Sequence, residues 1–105
     1  MRRSTEFTTV LRSGGRVRRG CLVVHHRAAL RAGHPLVGLV VGRAVGGSVV
    51  RHRVSRRLRA QLAQRLASLP AGSGTVVRAL PEAGTAASAE LGRDLDAALS
   101  RLALR

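Results

Sequence analysis

The segment from Ser48 to Leu69 constrains this chain most, because one hydrophobic period runs through it and arginine fills the positions that period leaves open. At about 100° per residue, Val54, Leu58, Leu62, Leu66 and Leu69 fall in a single stripe. Arg53, Arg56, Arg57 and Arg59 project from the opposite side, and Arg51 sits above the stripe at the first turn, where it can pass the edge of a sheet. A helix of this kind must lay one face on an apolar layer and turn the other outward. Ser48 is the expected N-cap after Gly46-Gly47, and Pro70 stops the helix at its far end.

The flanking sequence supplies that apolar layer. Glycines at 14, 15, 20, 33, 46, 47, 72, 74 and 84 break the chain into short elements. Ser4 to Arg12 reads as a short helix, with Phe7, Val10 and Leu11 at i, i+3 and i+4. Arg16 to Arg27 is β-prone around Cys21-Leu22-Val23-Val24. Leu36 to Val41 is a continuous apolar run that suits a strand buried on both faces, and Thr75 to Leu80 is another strand, ended by Pro81. Ala87 to Leu104 reads as a final helix, with Leu91, Leu95, Ala98 and Leu102 on one face and Ser88 as its cap. The expected order is α-β-β-β-α-β-α. This is an α+β fold with three helices on a small, mainly antiparallel sheet, and a β-α-β crossover carries the arginine helix. At 105 residues one domain, spanning 1–105, accounts for the chain.

Charge then narrows the partner. Lys and Arg together number 19 against 5 Asp and Glu, a formal charge of +14, and every one of those cations is arginine. No acidic residue lies between Thr8 and Pro81, so the arginines of the long helix have no nearby carboxylate in sequence to relieve their mutual repulsion. Phosphates would relieve it, and the planar guanidinium fork matches phosphate geometry. A polyanionic partner is therefore expected.

Other classes find little support. Cys21 is the single cysteine, which excludes a disulfide framework within the chain. The basic N-terminus has no apolar run after it, and Leu36 to Val41 is far too short to span a bilayer, so a cytoplasmic protein without a membrane partner is expected. His25 and His26 are adjacent and would face opposite sides of a strand, so they cannot act as a pair. The acids Glu6, Glu82, Glu90, Asp94 and Asp96 form no paired site for Mg²⁺. No catalytic residue is assigned. The absence of a compact helix-turn-helix pair speaks against DNA.

The run Gly42-Arg43-Ala44-Val45-Gly46-Gly47-Ser48-Val49-Val50-Arg51-His52-Arg53-Val54-Ser55-Arg56-Arg57-Leu58-Arg59 resembles the signature of the bacterial ribonuclease P protein family. Glu6-Phe7 through Gly14 resembles the family's first helix, Gly38 to Val41 its central strand, and Val76 to Ala79 its last strand. The resemblance implies a left-handed crossover and an accessory role. A catalytic RNA subunit with Mg²⁺ bound through that RNA cleaves precursor tRNA, while the protein binds the RNA and the 5′ leader. By position, Arg43, Arg51, His52, Arg53, Arg56, Arg57 and Arg59 would contact RNA, and Phe7, Leu11 and Val24 would line a leader-binding cleft.

The sequence departs from the family at several of these places. His52 replaces an asparagine, which leaves any metal contact there open, and Ser55 replaces a lysine. Leu11 and Val24 stand where aromatics occur, so Phe7 is the only aromatic and leader affinity should lean on charge. A ribosomal-RNA-binding protein is the alternative, since it would share the arginine helix without needing the cleft.

Overall fold

In the computed structural model, residues 3–30 and 32–103 are described. Helix α1 (Arg3–Ser13) leads into strands β1 (Gly15–Arg19), β2 (Leu22–Arg27) and β3 (Leu36–Val40). Helix α2 (Ser48–Ala63) and a short 3-10 turn at Leu66–Ser68 follow, then strand β4 (Gly74–Ala79), a second 3-10 turn at Pro81–Thr85, and helix α3 (Ser88–Ala103). The expected order of elements holds.

The four strands form one sheet in the order β1-β2-β4-β3. β1 pairs with β2 and β2 with β4 antiparallel, while β3 runs parallel to β4. The parallel pair needs a crossover, and α2 is that crossover. β1 and β2 join through Gly20-Cys21, with Gly20 at φ +56 and no positive φ at Cys21, the pattern of a two-residue type II′ hairpin. Asp94 of α3 clamps this turn. Its Oδ2 accepts from the Cys21 backbone N–H at 3.1 Å and from the Cys21 Sγ–H at 3.3 Å. Burial first, and then the hydrogen bond to Asp94 and its charge, push the Cys21 thiol up to about 11, so it stays protonated as a small core group.

Alternation along the strands sorts side chains onto two faces. Val17, Leu22, Val24, Val77 and Ala79 point to one side, where they meet Val54, Leu58 and Leu62 of α2 and Leu91, Leu95, Ala98 and Leu102 of α3. Val23, His25, Leu36 and Val76 are also buried, on the other face, which α1 partly covers. There Phe7 lies over Gly38 and Val10 over Gly74; a Cβ on either glycine would strike the side chain above it.

The arginine helix differs from expectation in three ways. It ends at Ala63, and the following 3-10 turn changes direction, so Leu66 is 45% exposed while Leu69 returns to the core. The stripe that α2 buries is thus Val54, Leu58 and Leu62. Gly47, not Ser48, occupies the N-cap, without a side-chain bond, because its extended backbone makes the entry and Ser48 is already helical. At α3, Ser88 is likewise the first helical residue. Glu90 reaches back to accept from the Ala87 N–H at 3.3 Å, and the Ser88 hydroxyl instead accepts from Gln61 Nε2 at 2.9 Å. β3 is also not buried on both faces along its length, since Val40 is 40% exposed at its end. The segment just after α2 is tied to α3 by a two-pronged Arg65–Asp96 pair at 2.6 and 3.1 Å, whose hydrogen bonding holds the carboxylate below its usual range.

Candidate nucleic-acid interface

The outer side of α2 is built by subtraction. Once Val54, Leu58 and Leu62 are committed to the core, helical geometry directs His52, Arg56 and Arg59 outward, and all three are exposed. Arg43, in the turn before the helix, is exposed too. Ser48, Val49, His52, Arg53 and Arg56 line a shallow groove near the start of the helix, with Val49 78% exposed among the cations.

Arg53 and Arg57 belong to a different part of the architecture from the one sequence suggested. The 3-10 turn at Pro81–Thr85 lies alongside α2, and its backbone carbonyls face the helix. Arg53 Nη2 donates to the Gly84 carbonyl at 2.9 Å, and Arg57 Nη1 donates to the Ala86 carbonyl at 2.8 Å. Both side chains are half-buried, so they flank the core stripe instead of standing opposite it. Their role in this geometry is to hold α2 against the segment leading to α3. Arg51 is also half-buried, and its Nε and that of Arg53 have no hydrogen-bond partner among the described residues.

A second basic surface lies on the α1 side of the sheet, and sequence reasoning found only part of it. Phe7 is half-buried over Gly38 and Leu11 is 42% exposed, both on α1. Val24, expected beside them, is fully buried in the α2–α3 core on the far side of the sheet. Strand register explains the error: Val24 pairs with Val17 and Val77, both core residues, so its neighbour His25 takes the α1 side. The same alternation brings Arg16 and Arg18 of β1 and Arg78 of β4 to that face, all exposed. Arg18 meets Glu82 at 3.6 Å, both side chains largely in solvent. His25 is 7% exposed, and its Nδ1 has no hydrogen-bond partner among the described residues. Burial, and then the charges of Arg16 and Arg78, lower its pKa and keep the ring neutral. His26 faces the other way, hydrogen-bonded through Nδ1 to the Thr75 hydroxyl at 2.9 Å, and burial lowers its pKa as well.

The two surfaces meet at the outer edge of β3. A groove there is lined by Phe7 and Gly38 from one side and by Arg59, Leu62 and Leu66 from the other. Among the described residues no group of three or more His, Cys, Asp or Glu side chains is placed to hold a metal ion, and no helix is long and apolar enough to cross a membrane.

A mixed four-stranded sheet with arginines turned outward from its crossover helix defines a class: small α+β proteins with a basic face suited to a polyanion. Comparison with known proteins narrows that class. The family model described as Ribonuclease P matches residues 1–103. The ribonuclease P protein component of Streptomyces griseus is 52% identical, over 97% of this chain and 89% of its own length. That of Beutenbergia cavernae is 51% identical, over 100% of this chain and 88% of its own. The RNase P protein of Staphylococcus aureus shares the fold with a TM-score of 0.80 at 19% identity, covering 95% of this chain and 91% of that one. The RNase P protein of Thermotoga maritima does so with a TM-score of 0.77 at 20% identity, covering 97% and 93%. The chain belongs to the ribonuclease P protein family, as a protein component serving tRNA processing.

Proposed function

We propose that this protein is the accessory subunit of a ribonucleoprotein endoribonuclease and that its two basic surfaces hold two different RNA segments. The observation that carries the reading is the contiguity of those surfaces around β3. Exposed Arg59 stands on one side of the edge strand and Phe7 on the other, and Arg78 on β4 and Arg16 and Arg18 on β1 extend the Phe7 side across the same sheet face. The catalytic RNA would dock on α2 through Arg43, His52, Arg56 and Arg59, with Arg51 at the seam. The single-stranded 5′ leader of a precursor tRNA would lie along the α1 side, past Phe7 and Leu11.

In this reading the chemistry belongs to the RNA, and Mg²⁺ is bound through it. The protein contributes position and charge. Each phosphate neutralised by an arginine releases condensed counterions, so affinity falls steeply with salt, with a slope of roughly 0.7 to 0.9 per contact in log–log form. Phosphate contacts fix register without reading sequence. Screening of RNA–RNA repulsion by the same arginines lowers the Mg²⁺ needed for cleavage. With one aromatic residue in the chain, little stacking is available, and the leader is held mainly by Arg16, Arg18 and Arg78. A cytoplasmic setting, with neither membrane nor DNA as partner, accompanies this role.

Leader dependence tests it. Holoenzyme affinity for precursor tRNA should rise with leader length at low salt, and that advantage should shrink strongly as salt is raised. A leader advantage that is flat across salt would overturn the charge-based reading of the sheet face.

A further inference from the structure

Among the described residues, His25 is a buried side chain with an unpartnered polar atom. It is 7% exposed and its Nδ1 finds no partner among the described residues, although buried polar groups are nearly always paired. The groups around it come from every element that packs on this face. Arg16 of β1 is its direct cross-strand partner, and Arg78 of β4 lies diagonally beyond Val76. At such positions Cβ atoms lie about 5 and about 7 Å away, within reach of a guanidinium. Arg18 and Arg27 are next along the same face, Arg18 turned towards Glu82 and Arg27 donating from Nε to the Ala29 carbonyl. From α1 come Glu6, buried, and Arg12, exposed in the last turn. Arg16 and Arg78 are exposed, so an anion arriving from solvent can pair with both and lie beside the imidazole.

We propose that His25, Arg16 and Arg78 form a subsite for one phosphodiester of a single-stranded RNA, and that His25 takes up a proton when the phosphate binds. The subsite rests on the reading that a leader occupies the α1 side of the sheet, and it names one contact within that surface and how pH controls it. The sign follows from the surroundings. Without ligand, burial and two cations keep the ring neutral. A phosphate between the arginines offsets part of their field and offers the ring an anionic acceptor, so binding shifts His25 towards imidazolium. Affinity is therefore higher at low pH and falls as pH rises through the bound-state pKa of His25. The other exposed arginines carry their charge at every pH in this range and cannot produce that dependence.

The test uses holoenzyme with wild-type or His25→Gln protein and precursor tRNA whose scissile linkage cannot be cleaved, with either a long leader or a single leader nucleotide. The quantity read is the leader's contribution to affinity. For wild type it should fall at least about threefold between about pH 6 and about pH 8, and for His25→Gln it should be flat. Replacing one leader phosphate by a neutral methylphosphonate should flatten the wild-type curve at a single position. Independently of any variant, the His25 imidazole resonance in the wild-type protein should titrate at higher pH once a single-stranded uridine oligonucleotide is added. The same pH dependence in both proteins, or an unmoved His25 titration, overturns the subsite and leaves the leader surface standing. No leader contribution at any pH overturns the leader surface and the subsite with it.

Discussion

Replacing Arg57 and Arg56 separately by alanine should have opposite consequences, although the two are sequence neighbours on one helix. Arg57 donates to the Ala86 carbonyl at 2.8 Å, and Ala86 itself is 6% exposed. A hydrogen bond from a charged donor contributes about 1.5–3 kcal/mol, and removing the donor leaves the carbonyl short of a partner. Because the Arg57 side chain keeps some contact with solvent, the lower end applies, about 1–2 kcal/mol. In a domain of this size each kcal/mol lowers Tm by roughly 4–8 °C, so the loss should be about 4–16 °C. Arg56 is exposed and has no acidic partner among the described residues. Arg56→Ala removes like-charge repulsion and introduces the best helix former, so stability should stay within about 0.5 kcal/mol of wild type or rise slightly. Its effect should instead appear in RNA binding, where the slope of log affinity against log salt should lose roughly one unit, while Arg57→Ala keeps the wild-type slope. Thermal melts followed by circular dichroism, paired with affinity for the catalytic RNA at several salt concentrations, measure both. The reasoning is refuted if Arg57→Ala melts with wild type while Arg56→Ala is destabilised, or if the salt slope follows Arg57.

Two further outcomes follow from the packing. Gly20→Ala places a side chain at φ +56, where its Cβ runs into the Asp94 carboxylate, so a loss of about 1–3 kcal/mol is expected in urea unfolding; a wild-type midpoint would show that the hairpin clamp is unimportant. His25 and His26 both have lowered pKa values in the fold, so below about pH 6.5 the unfolded chain binds more protons than the native one. Stability should be full above that pH and decline as the solution is acidified. Urea midpoints at several pH values should show the decline, and His25→Gln should make it shallower.

The parts legible in the sequence are those governed by a period. Val54, Leu58 and Leu62 declare the buried face of α2, and Leu91, Leu95, Ala98 and Leu102 declare that of α3; all seven are buried. The β-rich runs and their order were equally plain. What the sequence hid was set by partners far along the chain. Nothing near Arg53 or Arg57 indicates that a 3-10 turn thirty-one residues beyond Arg53 and twenty-nine beyond Arg57 offers carbonyls to them. Leu66 keeps the stripe's spacing but lies past the point where the helix gives way to a 3-10 turn, a boundary that apolar periodicity does not mark. The placement of Val24 failed by one residue. In a strand that error exchanges the faces, and it moved attention from His25, Arg16 and Arg78 to a core valine. The period-two pattern held the remedy, because Leu22 and Val24 share a side and His25 cannot join them.

The central claim is that this protein positions and screens RNA while the RNA does the chemistry. Cleavage of a labelled precursor tRNA at low Mg²⁺, with catalytic RNA and protein each tested alone and then together, addresses it most directly. Accurate removal of the leader is expected only when both are present, with the requirement for protein easing as Mg²⁺ is raised. Cleavage by the protein alone, or no stimulation of the RNA by protein shown to be folded, would contradict it.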